Sequence, residues 1–321
     1  MISHNRYHAA KGALVIESLP PPLIVPVSRL YRLTPEIQER LRTSQVYFIM
    51  RRPRLSLVAS SIRLKDGCVL ATIRAQVKDS FQEFDTFLPL PNHPAFRSSR
   101  VRRVWAEEDY PSYQIFIERN DPDGGNWELD LADFLMWKEV QRPEFEHFHV
   151  DYIGHSLGKD GLKGAVDRLV GRHGHRYSHE HLQEIVVGLN SLHPDQEAFV
   201  ALFSFEGDQE TSERNYANFE GMTLRGPHAD QISQLPRDQA RSTRIQLAEA
   251  ALIRYFRPKF NDKYKNTFPS KSHSILKPLR DMEIKTLVVR AATFRVGAVL
   301  YSEGIMPSFD HRAEFELPGR R

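Results

Sequence analysis

The residue with the strongest chemical signal is Glu249. It lies within Ile245 to Phe256, where apolar residues recur with the spacing of an amphipathic helix. On such a helix Glu249 shares a face with Ile245, Leu252, Ile253 and Phe256, so its carboxylate faces the core. A carboxylate in an apolar stripe is costly unless it is paired or binds a metal ion. The residues alone leave two interpretations open, a buried ion pair with an arginine and a metal site.

Three further patterns accompany this glutamate along the chain. Tyr152-Ile-Gly154 closes a predicted strand, and Arg168 lies on the predicted helix that follows, one turn after Ala165. An isolated helix arginine normally faces solvent. Pro258-Lys-Phe-Asn261 comes directly after the helix that carries Glu249. Each pattern alone is weak evidence for a functional site. Their order along the predicted strand and helices makes the combination more specific.

In this order the four features resemble the GIY-YIG nuclease family, over residues 145–265. The resemblance implies an α+β fold in which a small central antiparallel sheet is flanked by helices. It also implies a metal-dependent endonuclease that cleaves DNA with Mg²⁺ or Mn²⁺. A restriction or defence role is suggested by analogy alone.

The resemblance also implies a role for each residue. Glu249 would hold the single divalent cation, and Arg168 would contact the scissile phosphate. Tyr152 would act as general base or orient the attacking water, and Asn261 would tie the strand end to the helix end. The family often places a histidine one turn after the arginine, and His173 is close to that position.

The physical chemistry of phosphodiester cleavage is compatible with these roles. The reaction builds negative charge on the phosphoryl oxygens, which a cation and a guanidinium stabilise. A phenol has an ordinary pKa of about 10. We expect the cation and Arg168 to lower the pKa of Tyr152 towards a useful range.

The sequence departs from the family at one tyrosine. In the family, another tyrosine lies about a dozen residues before the tyrosine of the Tyr-Ile-Gly motif. At that place this chain reads Val140-Gln-Arg-Pro143. We therefore expect no tyrosine partner for Tyr152, with His147 or His149 as its replacement. This departure motivates an alternative function, a catalytically impaired protein of the same fold that binds nucleic acid.

Histidines concentrate in one part of the chain. Seven of the fourteen lie between 147 and 181: His147, His149, His155, His173, His175, His179 and His181. A His-x-His pair on a strand faces one side and can bind zinc, so a zinc-dependent hydrolase is a second alternative. The chain lacks a His-Glu-x-x-His helix that would support it, and for most of these histidines we favour a solvent-facing or phosphate-proximal role.

Basic residues surround the predicted Glu249 helix, and aromatic residues interleave with them. Such a surface favours DNA as the partner, although the choice between DNA and RNA stays open. The residues expected to contact nucleic acid are Arg172, Arg244, Arg254, Arg257, Lys259 and Lys263.

The elements that must position these residues suggest two domains with a boundary near Pro143. Residues 1–142 predict an antiparallel β-rich domain for substrate recognition or homo-oligomer contacts. Residues 143–321 predict the nuclease-like domain, with strands at 145–153 and 198–205, a weakly packed polar insertion at 206–243 and a C-terminal strand pair turning near Ala292.

Composition narrows the class of protein. The formal net charge is only +3, so nucleic-acid binding requires local clustering of basic residues. Cys68 is the one cysteine, which excludes disulfide frameworks and cysteine-based zinc fingers. The sequence contains no run of 18 apolar residues, and its first residues lack the apolar core of a secretory signal. We therefore expect a cytoplasmic protein without a membrane span.

Overall fold

The computed structural model describes residues 13–19, 21–96, 101–120, 126–157, 164–170, 180–205 and 237–319. It shows a mixed α+β protein that is rich in strands, and most of its strand pairs are antiparallel. The chain divides into two compact units. Unit 1 comprises Met1–Met50, His149–Val186 and Ala198–Arg321, and unit 2 comprises Arg51–Phe148 and Val187–Glu197.

The strands are β1 (Ala13–Glu17), β2 (Leu23–Pro26), β3 (Val46–Pro53), β4 (Leu55–Leu57), β5 (Arg63–Lys65), β6 (Cys68–Val77), β7 (Ser80–Pro89), β8 (Val101–Trp105), β9 (Gln114–Arg119), β10 (Asn126–Asp130), β11 (Phe148–His155), β12 (Gln196–Phe203), β13 (Thr286–Ala292), β14 (Leu300–Ser302), β15 (Ile305–Ser308) and β16 (Asp310–Glu316). The helices are α1 (Val27–Leu30), α2 (Pro35–Arg40), α3 (Leu131–Trp137), α4 (Pro143–Glu146), α5 (Ala165–Val170), α6 (Glu180–Leu192), α7 (Arg237–Phe256) and α8 (Lys277–Asp281).

The central sheet of unit 1 has six strands in the order β15-β14-β11-β3-β12-β2. Strand β3 lies inside this sheet, and all of its residues from Val46 to Met50 are buried. This burial explains the unbroken apolar run in the sequence, since a strand covered on both faces needs no polar alternation. Phe48 of β3 packs against Phe203 of β12 and Phe256 of α7, with ring centroids 4.6 and 5.7 Å apart. These ring contacts fix α7 against the sheet.

Helix α7 buries the stripe that the sequence predicts. Ile245, Leu252, Ile253 and Phe256 are each at most 2% exposed. The helix begins at Arg237, so its first turns lie in the stretch that we expected to be a polar insertion. The rest of that stretch, residues 206–236, lies outside the described residues.

A second sheet of unit 1 joins the two ends of the chain. Strand β13 pairs in parallel with β1 and antiparallel with β16. We expected the strand that ends near Ala292 to pair with the strand that follows it, and this expectation is wrong. Strand β13 does end at Ala292, but the following strand, β14, pairs antiparallel with β15 in the six-stranded sheet.

Unit 2 is antiparallel and rich in strands, and its bounds differ from those of the predicted β-rich domain, residues 1–142. Strand β6 pairs with β4, β5 and β7, and β9 pairs with β8 and β10. Its core is built from apolar side chains of these strands and of α3, among them Ile73, Ile115 and Phe134, which are completely buried. The run Val46–Met50, which we assigned to this region, instead belongs to unit 1.

The observed division differs from a single boundary near Pro143. Chain segments from both sides of that residue build unit 1, and residues 51–148 form an insertion between strands β3 and β11. Near the expected boundary, Pro143–Glu146 forms the one-turn helix α4, and β11 starts only at Phe148. Among the described residues, no helix has the length and apolar character needed to cross a membrane.

Candidate active site

The end of strand β11 is the point where the predicted site residues of unit 1 meet. It carries Tyr152, Ile153, Gly154 and His155 in succession. Strand β3 lies beside it in the sheet, and the backbone N–H of Ser156 donates to the carbonyl of Gln45 at 2.8 Å. The strand end is therefore held by its neighbour at the position where the chemical groups project.

Tyr47 of β3 provides the tyrosine partner that we expected to be missing. Its ring lies 6.0 Å from the ring of Tyr152, measured between centroids. A hydrogen bond links the hydroxyls of Tyr47 and Tyr152. The expectation of a lone tyrosine is therefore wrong, because the residues between the two strands are the whole of the inserted segment 51–148 rather than a short turn.

Gly154 allows the two tyrosines to approach the strand. A Cβ atom at this position would lie 2.7 Å from the hydroxyl oxygen of Tyr47 and 2.7 Å from Cε1 of Tyr152. These distances are shorter than any carbon side chain tolerates, and Tyr47 is only 1% exposed, so it has little room to move. The glycine of Tyr152-Ile-Gly154 is thus required by the ring packing.

Both phenols stay protonated more readily than a free tyrosine. Burial raises the pKa of Tyr47 far above its ordinary value, and the neighbouring Tyr152 raises it further. Burial also raises the pKa of Tyr152, and this effect outweighs the lowering by the Tyr47 hydrogen bond and by Arg168. In the chain alone, desolvation of the phenolate therefore outweighs the effect of Arg168, and the lowering expected from a bound cation stays a prediction.

Arg168 reaches the same place from helix α5. Its Nη1 donates to the carbonyl oxygen of His155 at 2.6 Å, while the side chain remains exposed. The start of α5 is fixed by a hydrogen bond of 2.7 Å from the Ala165 N–H to the carbonyl of Ser44. The positive charge of Arg168 lowers the pKa of both Tyr47 and Tyr152, although burial outweighs this effect in each.

Glu249 arrives from helix α7 and contacts the strand end through His155. Its Oε2 lies 2.8 Å from Nδ1 of His155, and the two side chains are 14% and 26% exposed. Its negative charge raises the pKa of both tyrosines. The partner of the carboxylate is therefore a histidine rather than an arginine. A carboxylate oxygen beside an imidazole nitrogen is a donor set that divalent cations accept, so these residues fit a cation.

Asn261 clamps the same strand from the segment after α7. Its Oδ1 accepts from the N–H of Ile153 at 2.9 Å, and its Nδ2 donates to the carbonyl of Ile153 at 2.8 Å. The N–H of Phe260 donates to the carbonyl of Asp151 at 3.0 Å. Asn261 thus joins the end of α7 to the end of β11, as the resemblance implies.

The basic residues predicted to meet nucleic acid fall into three groups. Lys263 is exposed and lies near Glu249, whose charge contributes to the raised pKa of its ammonium, although the hydrogen bond with Tyr264 contributes most. Lys259 is also exposed. Arg254 and Arg257 bond to the carbonyl of Lys265 and the side chain of Asn266 respectively, and Arg244 is half-buried. Arg172 and His173 lie outside the described residues.

The histidine cluster does not form a metal site in the part of the chain that the structure describes. No group of three or more His, Cys, Asp or Glu side chains suited to a metal occurs there. His147 precedes β11 instead of lying on it, and His149 is buried, with Nδ1 3.0 Å from Oδ1 of Asp151. Residues 171–179, with three of the histidines, lie outside the described residues.

Sequence reasoning missed two residues of this site. Tyr47 carried a usable signal, because Val46-Tyr47-Phe48-Ile49 is an apolar run with a tyrosine at its start. His155 follows Tyr152-Ile-Gly154 directly, but it was considered only as one of seven clustered histidines. Comparison of this chain with family models, curated proteins and solved structures found no match.

Proposed function

We propose that unit 1 is a metal-dependent endonuclease that hydrolyses phosphodiester bonds in DNA. The observation that carries the proposal is the convergence of Tyr47, Tyr152, Arg168 and Glu249 on the end of β11. These four groups come from strands and helices that are far apart in sequence. Core packing does not require a guanidinium, a carboxylate and two phenols at one point, and hydrolysis of a phosphodiester makes use of all of them.

Arg168 is suited to bind the scissile phosphate. Only Nη1 of its guanidinium donates to the protein among the described residues, and the exposed remainder is free to form charge-assisted hydrogen bonds with phosphate oxygens. Lys263 and Lys259, both exposed, would contact neighbouring phosphates of the strand. This arrangement supports a nucleic acid as the substrate class.

The tyrosine pair is suited to orient a water molecule. Both pKa values are raised, so both phenols are neutral at neutral pH. The hydrogen bond between the two hydroxyls uses one of their two hydrogens, so the other is available to a further acceptor, and Tyr152 is the less buried of the two. We therefore assign Tyr152 the orientation of the attacking water rather than its deprotonation.

Glu249 is the protein group that would hold the cation, with His155 beside it. When bound, Mg²⁺ or Mn²⁺ would supply Lewis-acid stabilisation of charge on the phosphoryl oxygens. Asn261 would hold the strand end rigid, so that the separation of Arg168, Tyr152 and Glu249 stays constant.

The test is cleavage of supercoiled plasmid in Mn²⁺ or Mg²⁺. Glu249→Gln should lower the rate roughly 1,000-fold or more, because it removes the charge that holds the cation. Glu316→Gln, an exposed glutamate of β16, is the matched control and should cleave at the native rate. Undiminished cleavage by Glu249→Gln would sink the proposal.

The two alternative functions from the sequence rest on different observations. The impaired binding protein was motivated by a missing tyrosine, and Tyr47 now lies beside Tyr152. The zinc hydrolase depends on the histidine cluster, in which His149 is bonded to Asp151 while residues 171–179 lie outside the described residues, so it stays an alternative. A native chain that binds plasmid tightly and never cleaves it in Mn²⁺ would restore the first alternative.

A further inference from the structure

The contact between His155 and Glu249 has a second use that the proposed reaction does not require. Nδ1 of His155 and Oε2 of Glu249 are 2.8 Å apart. Two ligands bound at right angles to one octahedral ion, each at about 2.1 Å, lie about 3 Å apart. The two donor atoms therefore already have nearly the separation of neighbouring ligands on one cation.

The rigidity of the surrounding backbone favours a built site. His155 follows Ile153, whose N–H and carbonyl are both held by Asn261. Its own carbonyl accepts from Arg168 at 2.6 Å, so the backbone on which the imidazole stands is fixed on both sides. Glu249 stands in the middle of α7 among buried residues. Both donors are thus preorganised, which lowers the cost of binding an ion.

The exposure of the pair leaves room for the other ligands. Glu249 is 14% exposed and His155 is 26% exposed, so solvent reaches one side of the pair. A structural ion pair satisfies its partners inside the protein. Here Oε1 of Glu249 and Nε2 of His155 have no hydrogen-bond partner among the described residues. Water and a phosphate oxygen would complete the coordination on the open side.

We propose that His155 is a second protein ligand of the cation, binding through Nδ1 beside Glu249. This inference rests on the proposed nuclease site and deepens it. An imidazole nitrogen suits Mn²⁺, Co²⁺ or Ni²⁺ better than Mg²⁺, which prefers oxygen ligands and retains its waters. The site therefore selects a transition-metal ion, and His155 determines that selectivity.

The test measures metal binding to the full-length chain without DNA. Mn²⁺ bound to the native chain should show nitrogen modulation in pulsed electron paramagnetic resonance, because a coordinated imidazole nitrogen couples to the electron spin. His155→Ala should lose this modulation and weaken Mn²⁺ binding by roughly tenfold or more. Mg²⁺ binding should weaken less. His273→Asn, a histidine of the same unit, is the matched control and should keep both the modulation and the affinity.

A second variant protects the test against misfolding. His155→Gln has a similar size and should also lose the nitrogen modulation while hydrogen exchange of α7 stays native. Modulation that persists in both variants, or native Mn²⁺ binding that shows none, would overturn the ligand role of His155. In that event the nuclease proposal survives if Glu249→Gln still abolishes Mn²⁺ binding and cleavage. Unchanged Mn²⁺ binding in Glu249→Gln would instead refute the cation site of both proposals.

Discussion

Each of the two units contains a largely buried charged side chain, and the two side chains differ in how completely they are paired. In unit 2 the ammonium of Lys138 is 0% exposed, lies 2.8 Å from Oε1 of Glu146 and also donates to the carbonyl of Val140. In unit 1 the carboxylate of Glu249 has one close partner among the described residues, His155, and one of its oxygens is open. The buried lysine is satisfied by its own unit, whereas the glutamate is only half satisfied.

This difference separates a structural ion pair from a site. A buried charge that is fully paired contributes to a unique fold, and removal of its partner destabilises the protein. A buried charge that keeps an open side has a desolvation cost that a ligand can offset. The comparison predicts that mutations at Lys138 lower the free energy of unfolding. It also predicts that mutations near Glu249 lower metal binding and the rate of DNA cleavage.

The largest effect is expected from Lys138→Ala, which removes the buried ammonium beside Glu146 and leaves that carboxylate, 13% exposed, with the Arg142 N–H that donates to it. Unit 2 should lose about 3–5 kcal/mol of stability. Trp105, Trp127 and Trp137 are the three tryptophans of the chain and all belong to unit 2, so urea unfolding followed by tryptophan fluorescence reports on that unit. The double variant Lys138→Met/Glu146→Gln should recover most of the loss. A native unfolding midpoint in Lys138→Ala would contradict the comparison.

The second effect concerns the DNA cleavage that we propose for unit 1. Tyr152→Phe should slow plasmid cleavage roughly 100-fold, because general acid–base and water-orienting groups contribute at least that much. Tyr47→Phe should slow it less, since this hydroxyl acts through Tyr152. Tyr255→Phe removes a phenol from the same unit and serves as the control with native cleavage. Equal rates in all three variants would show that the paired hydroxyls take no part in the reaction.

The third effect tests the packing that brings the tyrosines together. Gly154→Ala places a methyl group 2.7 Å from the Tyr47 hydroxyl, and overpacking of this kind costs about 1–3 kcal/mol. Calorimetric unfolding of unit 1 should therefore shift to lower temperature, and cleavage should fall. In Gly304→Ala the added methyl meets nothing within 4 Å, so this variant should match the native protein. If the two alanine variants behave alike, the close approach of the rings has no consequence.

The same comparison explains what the sequence could predict. Local signals in the sequence mark α2, where Thr34 is the N-cap and Pro35 the first residue, and they predict the buried strand β12 at 198–205. They were also sufficient to place Glu249 on a buried helix face. Each of these depends on residues close together in the chain, where periodicity and capping have direct physical causes.

Pairing between distant strands could not be predicted. The apolar run at Val46–Met50 indicates a buried strand, but nothing local states that its neighbour is β11, beyond residues 51–148. The tyrosine expected a dozen residues before Tyr152 is therefore replaced by Tyr47, which is distant in sequence and lies on the neighbouring strand. The same reason applies to β13, whose partners β1 and β16 are set by the tertiary fold and not by the turn after Ala292.

The smallest effect is a pH dependence of stability from His311. This imidazole is 1% exposed, its Nε2 donates to the carbonyls of Leu300 and Ser308, and its Nδ1 faces the Tyr255 hydroxyl at 3.4 Å. Burial lowers its pKa in the folded state, so the unfolded chain binds the proton more readily. The contribution of neutral His311 to the free energy of unfolding is therefore fully present above its unfolded-state pKa of about 6.5. This contribution is lost as the pH falls through the lower pKa of the folded state. The protection of the β14 and β16 amides, measured as their exchange rate relative to the intrinsic rate at each pH, should fall on acidification in the native protein and fall less in His311→Gln. An equal acid response in both proteins would show that other groups govern it.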